Sequence, residues 1–113
     1  MQIPPNAIIP QAKLTEYLLK YKTKNDKSQY LSQAGFTQDN PEQLKIAIYE
    51  LIQTNRGIKD GENEYGIFYK VSGELIGINR RNLSVITIWL QRKIDNQFQF
   101  ITLKPNKEKT QND

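Results

Sequence analysis

The chain of 113 residues contains no cysteine and no histidine. Without cysteine there is no disulfide framework, no thiolate nucleophile and no thiolate metal site. Without histidine the usual general base at neutral pH and the commonest ligand for borderline-soft metals are both missing. Any acid–base chemistry therefore falls to Lys, Arg, Tyr, Thr or a carboxylate. The P-loop, the Gly-rich nucleotide fingerprint and the Ser-nucleophile elbow are also absent from the sequence. No apolar run approaches the roughly 20 residues of a membrane-spanning helix. The opening Met1-Gln2-Ile3-Pro4-Pro5 lacks the basic start of a secretory signal. The expected compartment is cytoplasmic, with no membrane partner.

What is present fits one domain over 1–113, long enough to bury a core without covalent staples. Hydrophobic residues make up 37% of the chain. A thin core with one partly committed face would give that balance. Sixteen Lys and Arg oppose twelve Asp and Glu, for a net charge of +4. The excess is shared by the two halves, which favours solubility and tolerates polyanions without specifying one.

Pro4, Pro5 and Pro10 hold residues 1–10 extended, as an arm on the body. Leu14, Tyr17 and Leu18 stand at i, i+3 and i+4, predicting a short helix over 11–20 with one apolar stripe. A lysine-rich connection follows. Asp26 is a natural N-cap for a second helix through Ala34, closed by Gly35, with Phe36 entering the core. The clearest helix has Asn40 as cap, Pro41 at N1, Gln43 as capping-box partner, and Leu44, Ala47, Ile48, Leu51 and Ile52 at helical spacing.

From Tyr65 the period changes to 2. Residues 65–71 and 74–78 read as strands joined at Ser72-Gly73, and 83–91 and 97–104 as a second hairpin turning at Asp95-Asn96. Asp60, Glu62 and Glu64 read as a solvated acidic loop before the first strand. After Pro105 the chain reads as a polar, flexible tail over 106–113. The fold class is α+β: N-terminal helices packed on one face of a four-stranded antiparallel sheet.

If Asp95 and Asn96 form a two-residue turn, Leu90 faces Ile101 and Ile88 faces Leu103, and these aliphatic pairs take the helix side. The open face then carries Thr87, Trp89, Phe100, Thr102 and Lys104. Two readings stand beside each other. It is an open sheet face partly covered by the N-terminal arm, whose threonines serve strand propensity. Alternatively it is a binding surface: aromatic rings stack bases, hydroxyls position a phosphate, and Lys or Arg neutralise it.

The run Lys13-Leu14-Thr15-Glu16-Tyr17-Leu18-Leu19, the Ala34-Gly35-Phe36 end of the second helix, Tyr65-Gly66 with Tyr69, Val71 and Gly73, then Arg81 with Val85, Thr87 and Trp89, and Ile101-Thr102 with Pro105 resemble an uncharacterised bacterial domain family common in cyanobacteria. The order of elements is also similar to the barnase–EndoU–colicin–RelE superfamily of ribonuclease toxins, in which helices precede a four-stranded antiparallel sheet. That resemblance implies metal-independent RNA cleavage on the open sheet face, no cofactor, and a cognate antitoxin or immunity protein as partner. It places the catalytic candidates at Lys27, Arg81, Thr87 and Thr102. Trp89, Tyr69, Phe100, Lys104 and Arg80 would bind the substrate RNA. The competing reading is a non-catalytic protein-interaction module, or an antitoxin- or immunity-type partner, using the same face or a sheet edge.

Overall fold

The computed structural model describes residues 1–24 and 26–107; positions 108–113 of the expected tail lie outside the described residues. The architecture is α+β, with helices in the first half and a four-stranded antiparallel sheet in the second. A π-helix covers Lys13–Leu18, α1 covers Ser28–Ser32 and α2 covers Pro41–Thr54. The strands are β1 (Gly57–Asn63), β2 (Gly66–Leu75), β3 (Leu83–Arg92) and β4 (Phe98–Pro105), in the order β1-β2-β3-β4. Among the described residues no helix is long and apolar enough to cross a membrane.

α2 forms where its pattern predicts. Leu44, Ala47, Ile48, Leu51 and Ile52 are its buried residues. Asn40 precedes Pro41, but its side chain ties the entering loop instead of capping the helix: Oδ1 accepts from the Thr37 amide and Nδ2 donates to the Gly35 carbonyl. Gly35 takes φ 92°, which ends the α1 region, and Phe36 is buried as expected. The first helix differs in type. Its closing bond runs from the Leu19 amide to the Leu14 carbonyl, five residues back, so the turn is wider than an α-turn.

The first hairpin lies one strand earlier than the sequence pattern suggests. Asp60 and Glu62 belong to β1, and the turn falls at Glu64-Tyr65. Ser72-Gly73 is interior to β2, with Gly73 opposite Val85. Glycine is needed there for close approach: a Cβ would stand 2.5 Å from Asn55 Nδ2. A turn-forming dipeptide was thus placed for packing, not for reversal.

The second hairpin is where it was expected, but its register is not. The Arg92 amide donates to the Gln97 carbonyl, Asn96 adopts φ 60°, and Leu90 pairs with Gln99 instead of Ile101. A bulge opposite Ile88/Trp89 then shifts the phase of β4, so that Ile88 pairs with Thr102 and Thr87 with Leu103. The face turned to the helices carries Val85, Thr87, Trp89, Phe98, Phe100 and Leu103, all buried. Thr87, Trp89 and Phe100 are therefore core residues, which corrects their expected place on the open face. Two physical effects select this arrangement. The rings bury more area than the aliphatic side chains, and Trp89 packs edge-on to Phe100 with centroids 5.4 Å apart. The polar groups they bring inside satisfy each other: Thr87 Oγ1 donates to the Val71 carbonyl at 3.0 Å and accepts from Trp89 Nε1 at 2.8 Å.

The open face mixes apolar side chains with Lys70, Ser72 and Gln99, and Thr102 and Lys104 keep their expected place on it opposite Ile88 and Ile86. Phe68 on β2, Ile86, Ile88 and Leu90 on β3, and Ile101 on β4 are half-exposed, and Ile58 on β1 is exposed. The N-terminal arm leaves this face free and enters the core, burying Ile3, Ala7 and Ile9. It bonds at both sheet edges, Met1 with Gly57 of β1 and Ile8 with Phe98 and Phe100 of β4.

Candidate functional site

A cleft of about 540 Å³ opens beside the β4 edge, lined by Tyr17, Lys22, Lys24, Asp26, Lys27, Tyr30, Pro105 and Lys107. Beside it, Lys27 Nζ donates to Thr102 Oγ1 at 2.9 Å and lies 3.5 Å from the Tyr17 hydroxyl. The Thr102 hydroxyl in turn approaches the Tyr17 oxygen at 3.5 Å. Three segments meet here: the π-helix brings Tyr17, the residue before α1 brings Lys27, and the bulged part of β4 brings Thr102.

The Tyr17 ring is surrounded by cations. The ammonium groups of Lys22, Lys13 and Lys27 lie 4.4, 5.2 and 5.2 Å from its centroid. The Thr102 hydroxyl, followed by the charge and hydrogen bond of Lys27 and the charge of Lys13, holds the Tyr17 phenol below its ordinary pKa despite the opposing effect of burial. Among the described residues, Lys13, Lys22, Lys24 and Lys27 form no ion pair with a carboxylate. Asp26, the one acid lining the cleft among the described residues, is committed to structure. Its oxygens accept from the Ser28 hydroxyl at 2.7 Å and from the amides of Lys22, Ser28 and Gln29, the Ser28 bond contributing most to a lowered carboxyl pKa. Asp26 therefore does the amide-capping work expected of it, although Lys27 occupies the N-cap position.

Tyr30 forms another wall. Its hydroxyl donates to the Ser84 carbonyl at 2.9 Å, and burial raises its pKa. With the ring fixed by that bond and Lys22, Lys24 and Lys27 in no ion pair with an acid among the described residues, the cleft presents flat apolar surface next to concentrated positive charge. That combination suits an anionic ligand carrying rings.

Of the residues singled out from the sequence, the fold brings Lys27 and Thr102 together. Thr87, Trp89 and Phe100 are inside, and Tyr69 is half-buried against the same core, its ring 5.7 Å from Phe98. Arg80 and Arg81 are exposed in the β2–β3 loop, which docks on the far end of α1 through Ile78 to Ala34 and Asn79 to Gln33. They do not line the cleft. Lys104 on β4 is exposed and pairs with Ile86 of β3. Tyr17, Tyr30 and Lys13 were missed. By spacing Tyr17 belongs to the apolar stripe with Leu14 and Leu18, both fully buried; the signal for its other role is the density of lysines on either side of it.

No curated protein matches the chain. A solved chain described as a contact-dependent growth inhibition toxin–immunity protein complex from Klebsiella pneumoniae 342 has a similar fold, with a TM-score of 0.67 over 88% of this chain and 93% of that one at 17% sequence identity. Residues 4–107 match the profile of a domain of unknown function, DUF6883, and the chain belongs to that family.

Proposed function

We propose that this domain is the toxin member of a toxin–antitoxin or toxin–immunity pair and that it cleaves RNA in the Tyr17–Lys27–Thr102 cleft. The carrying observation is the 2.9 Å bond from Lys27 to Thr102, with the Tyr17 oxygen 3.5 Å from both, inside a rim of lysines. The fold likeness to a chain of a toxin–immunity complex is compatible with either half of such a pair. The acid-poor cleft favours the half that handles a polyanion.

In this reading the ribose 2′-hydroxyl is the nucleophile, so no residue of the chain needs to form a covalent bond to substrate. The 2′-oxygen attacks the adjacent phosphorus while the bond from phosphorus to the 5′-oxygen breaks. Tyr17, as phenolate, takes the 2′-hydroxyl proton, and the Lys27 ammonium protonates the departing 5′-oxygen. Thr102 positions the phosphate, and Lys22 and Lys13 offset its charge. The products are a 2′,3′-cyclic phosphate and a 5′-hydroxyl end, and solvent restores both groups.

The test is incubation of single-stranded and folded RNA with purified protein in EDTA. Cleavage with cyclic phosphate ends is expected, reduced by about 100-fold or more in Lys27→Ala and Tyr17→Phe with thermal unfolding preserved. Intact RNA under every condition would remove the catalytic reading. A second reading, an interaction module, is favoured by the half-exposed aliphatic row of β3; it predicts binding to a protein partner with no RNA cleavage.

A further inference from the structure

We infer that Tyr30, with Pro105 beside it, is the seat for one unpaired base, that of the nucleotide on the 3′ side of the cut. The inference rests on the RNA-cleaving reading for its direction, and it names the part of the substrate that the cleft selects.

The cleft is divided by chemistry. Lys22, Lys24 and Lys27 line it with charge, while Tyr30 and Pro105 line it with rings. An anion alone would need only the lysines. A nucleotide needs both halves, because its phosphate is charged and its base is a flat ring that stacks on aromatic side chains. The volume of about 540 Å³ is that of an ordinary small-ligand site.

Tyr30 is built as a platform. Its inner side packs against the core. Its hydroxyl donates to the Ser84 carbonyl at 2.9 Å, and the Asn106 amide donates to the same oxygen at 2.9 Å. One acceptor thus ties the ring to the chain segment that carries Pro105. Burial raises the Tyr30 pKa, so the phenol keeps the proton it donates at neutral pH. Tyr69 and Trp89 stack on Phe98 and Phe100, but among the described residues no other ring packs on Tyr30. A ring fixed in advance loses little rotamer freedom when a base settles on it.

Position along α1 sets which base is read. The Leu31 amide donates to the Lys27 carbonyl, so the helical turn begins at Lys27, and Tyr30 follows it by three residues on the same side. β4 runs the same way, from Thr102 beside Lys27 to Asn106 beside the anchor of Tyr30. Those four residues of strand cover about 13 Å. Tyr17 meets Lys27 and Thr102 at the start of this path. In the cleavage reading Tyr17 serves the nucleotide before the cut, and Lys27 serves the departing oxygen of the nucleotide after it. The ring one turn beyond Lys27 therefore falls to that second nucleotide. A base inside a duplex is already stacked on both faces and cannot lie on Tyr30. The substrate class is unpaired RNA, in single strands and loops.

The test uses Tyr30→Leu, which removes the ring, and Tyr30→Phe, which keeps it and removes only the bond to Ser84. Binding is read by fluorescence anisotropy with a short deoxyoligonucleotide, which has no 2′-hydroxyl to attack, and with an abasic chain of the same length. The wild-type chain should prefer the intact probe by about 10-fold, equivalent to about 1.4 kcal/mol for one stacked base. Tyr30→Leu should abolish that preference and Tyr30→Phe should keep most of it. Cleavage is then read on a stem–loop RNA, and on the same RNA with an abasic ribose on the 3′ side of the mapped cut. Cuts should fall in the loop. The abasic ribose should raise the wild-type KM by about 10-fold and leave that of Tyr30→Leu unchanged. An equal loss by Tyr30→Leu on intact and abasic probes is the mark of a purely structural residue and overturns the inference. So does cleavage of the stem as readily as the loop. Base preference that depends on Tyr30, without cleavage of any RNA, supports the seat and removes the cleavage reading. Failure to bind either probe overturns both.

Discussion

Lys27 Nζ and Thr102 Oγ1, separated by 75 residues of sequence, form a 2.9 Å hydrogen bond beside the basic cleft. The bond fixes a flexible lysine on an edge strand and leaves its remaining donors pointing at Tyr17 and the cleft. Thr102→Val removes the acceptor while conserving shape. RNA cleavage should fall about 10-fold, the scale of one hydrogen bond of about 1.4 kcal/mol, and the urea midpoint should move little. Cleavage kinetics and urea unfolding of the same preparation check both halves.

Tyr17 supplies a pH signature. Its phenol lies below the ordinary 10.0 in the folded chain, chiefly through Thr102. As pH rises, the folded state gives up this proton before the unfolded state does. The resulting stabilisation is complete above pH 10.0, the unfolded value, and is lost as pH falls through the folded value. The phenolate absorbance lost in Tyr17→Phe should therefore titrate below that of a free tyrosine. In Thr102→Val the same difference should move to higher pH.

The lysines of the cleft should be read through salt. Each phosphate neutralised on a single strand contributes about 0.7 to the slope of log affinity against log salt. Lys22→Ala and Lys24→Ala should each flatten that slope for an oligoribonucleotide by roughly this amount. Fluorescence anisotropy at several salt concentrations measures it, and an unchanged slope would place the RNA elsewhere.

Thr87 belongs to stability. Thr87→Val leaves the buried Trp89 Nε1 without its acceptor, at a cost of about 2 kcal/mol. Trp89 is the single tryptophan, so its emission reports the loss directly in a denaturant titration.

Gly66 begins β2 at φ 146°, and a Cβ there would collide with the Gln91 backbone of the neighbouring strand. Gly66→Ala should cost at least about 2 kcal/mol, more than a helix-propensity effect and of the size of backbone strain. Thermal unfolding against the wild-type chain checks it. Gly61, also at positive φ but with open space around its Cβ position, should be the milder substitution.

Local chemistry made much of the fold legible. The Asn40-Pro41 start and helical spacing of α2, the Gly35 stop, the buried Phe36 and the second hairpin's location all follow from backbone preference and from periodicity within a short window. Local chemistry misled where a residue had two uses. Ser72-Gly73 has the composition of a turn, yet its glycine admits Asn55 beside β2. Asp60 and Glu62 have the composition of a loop, yet they lie on an edge strand, where charge is tolerated because the side chains reach solvent.

The sequence by itself determined an α+β domain, because the apolar period changes from 3.6 to 2 along the chain and each period suits one kind of element. It also determined that acid–base chemistry must avoid histidine and cysteine. Tertiary structure alone decided which face of the sheet is the core. Both faces of β3 are apolar enough to bury, and the choice rests on Trp89 finding Thr87 and on a bulge that changes the phase of β4. It alone decided the site as well. Thr102 lies 75 residues from Lys27 and 85 from Tyr17, and only the packing of the π-helix and the start of α1 against the β4 edge brings their polar atoms within 3.5 Å.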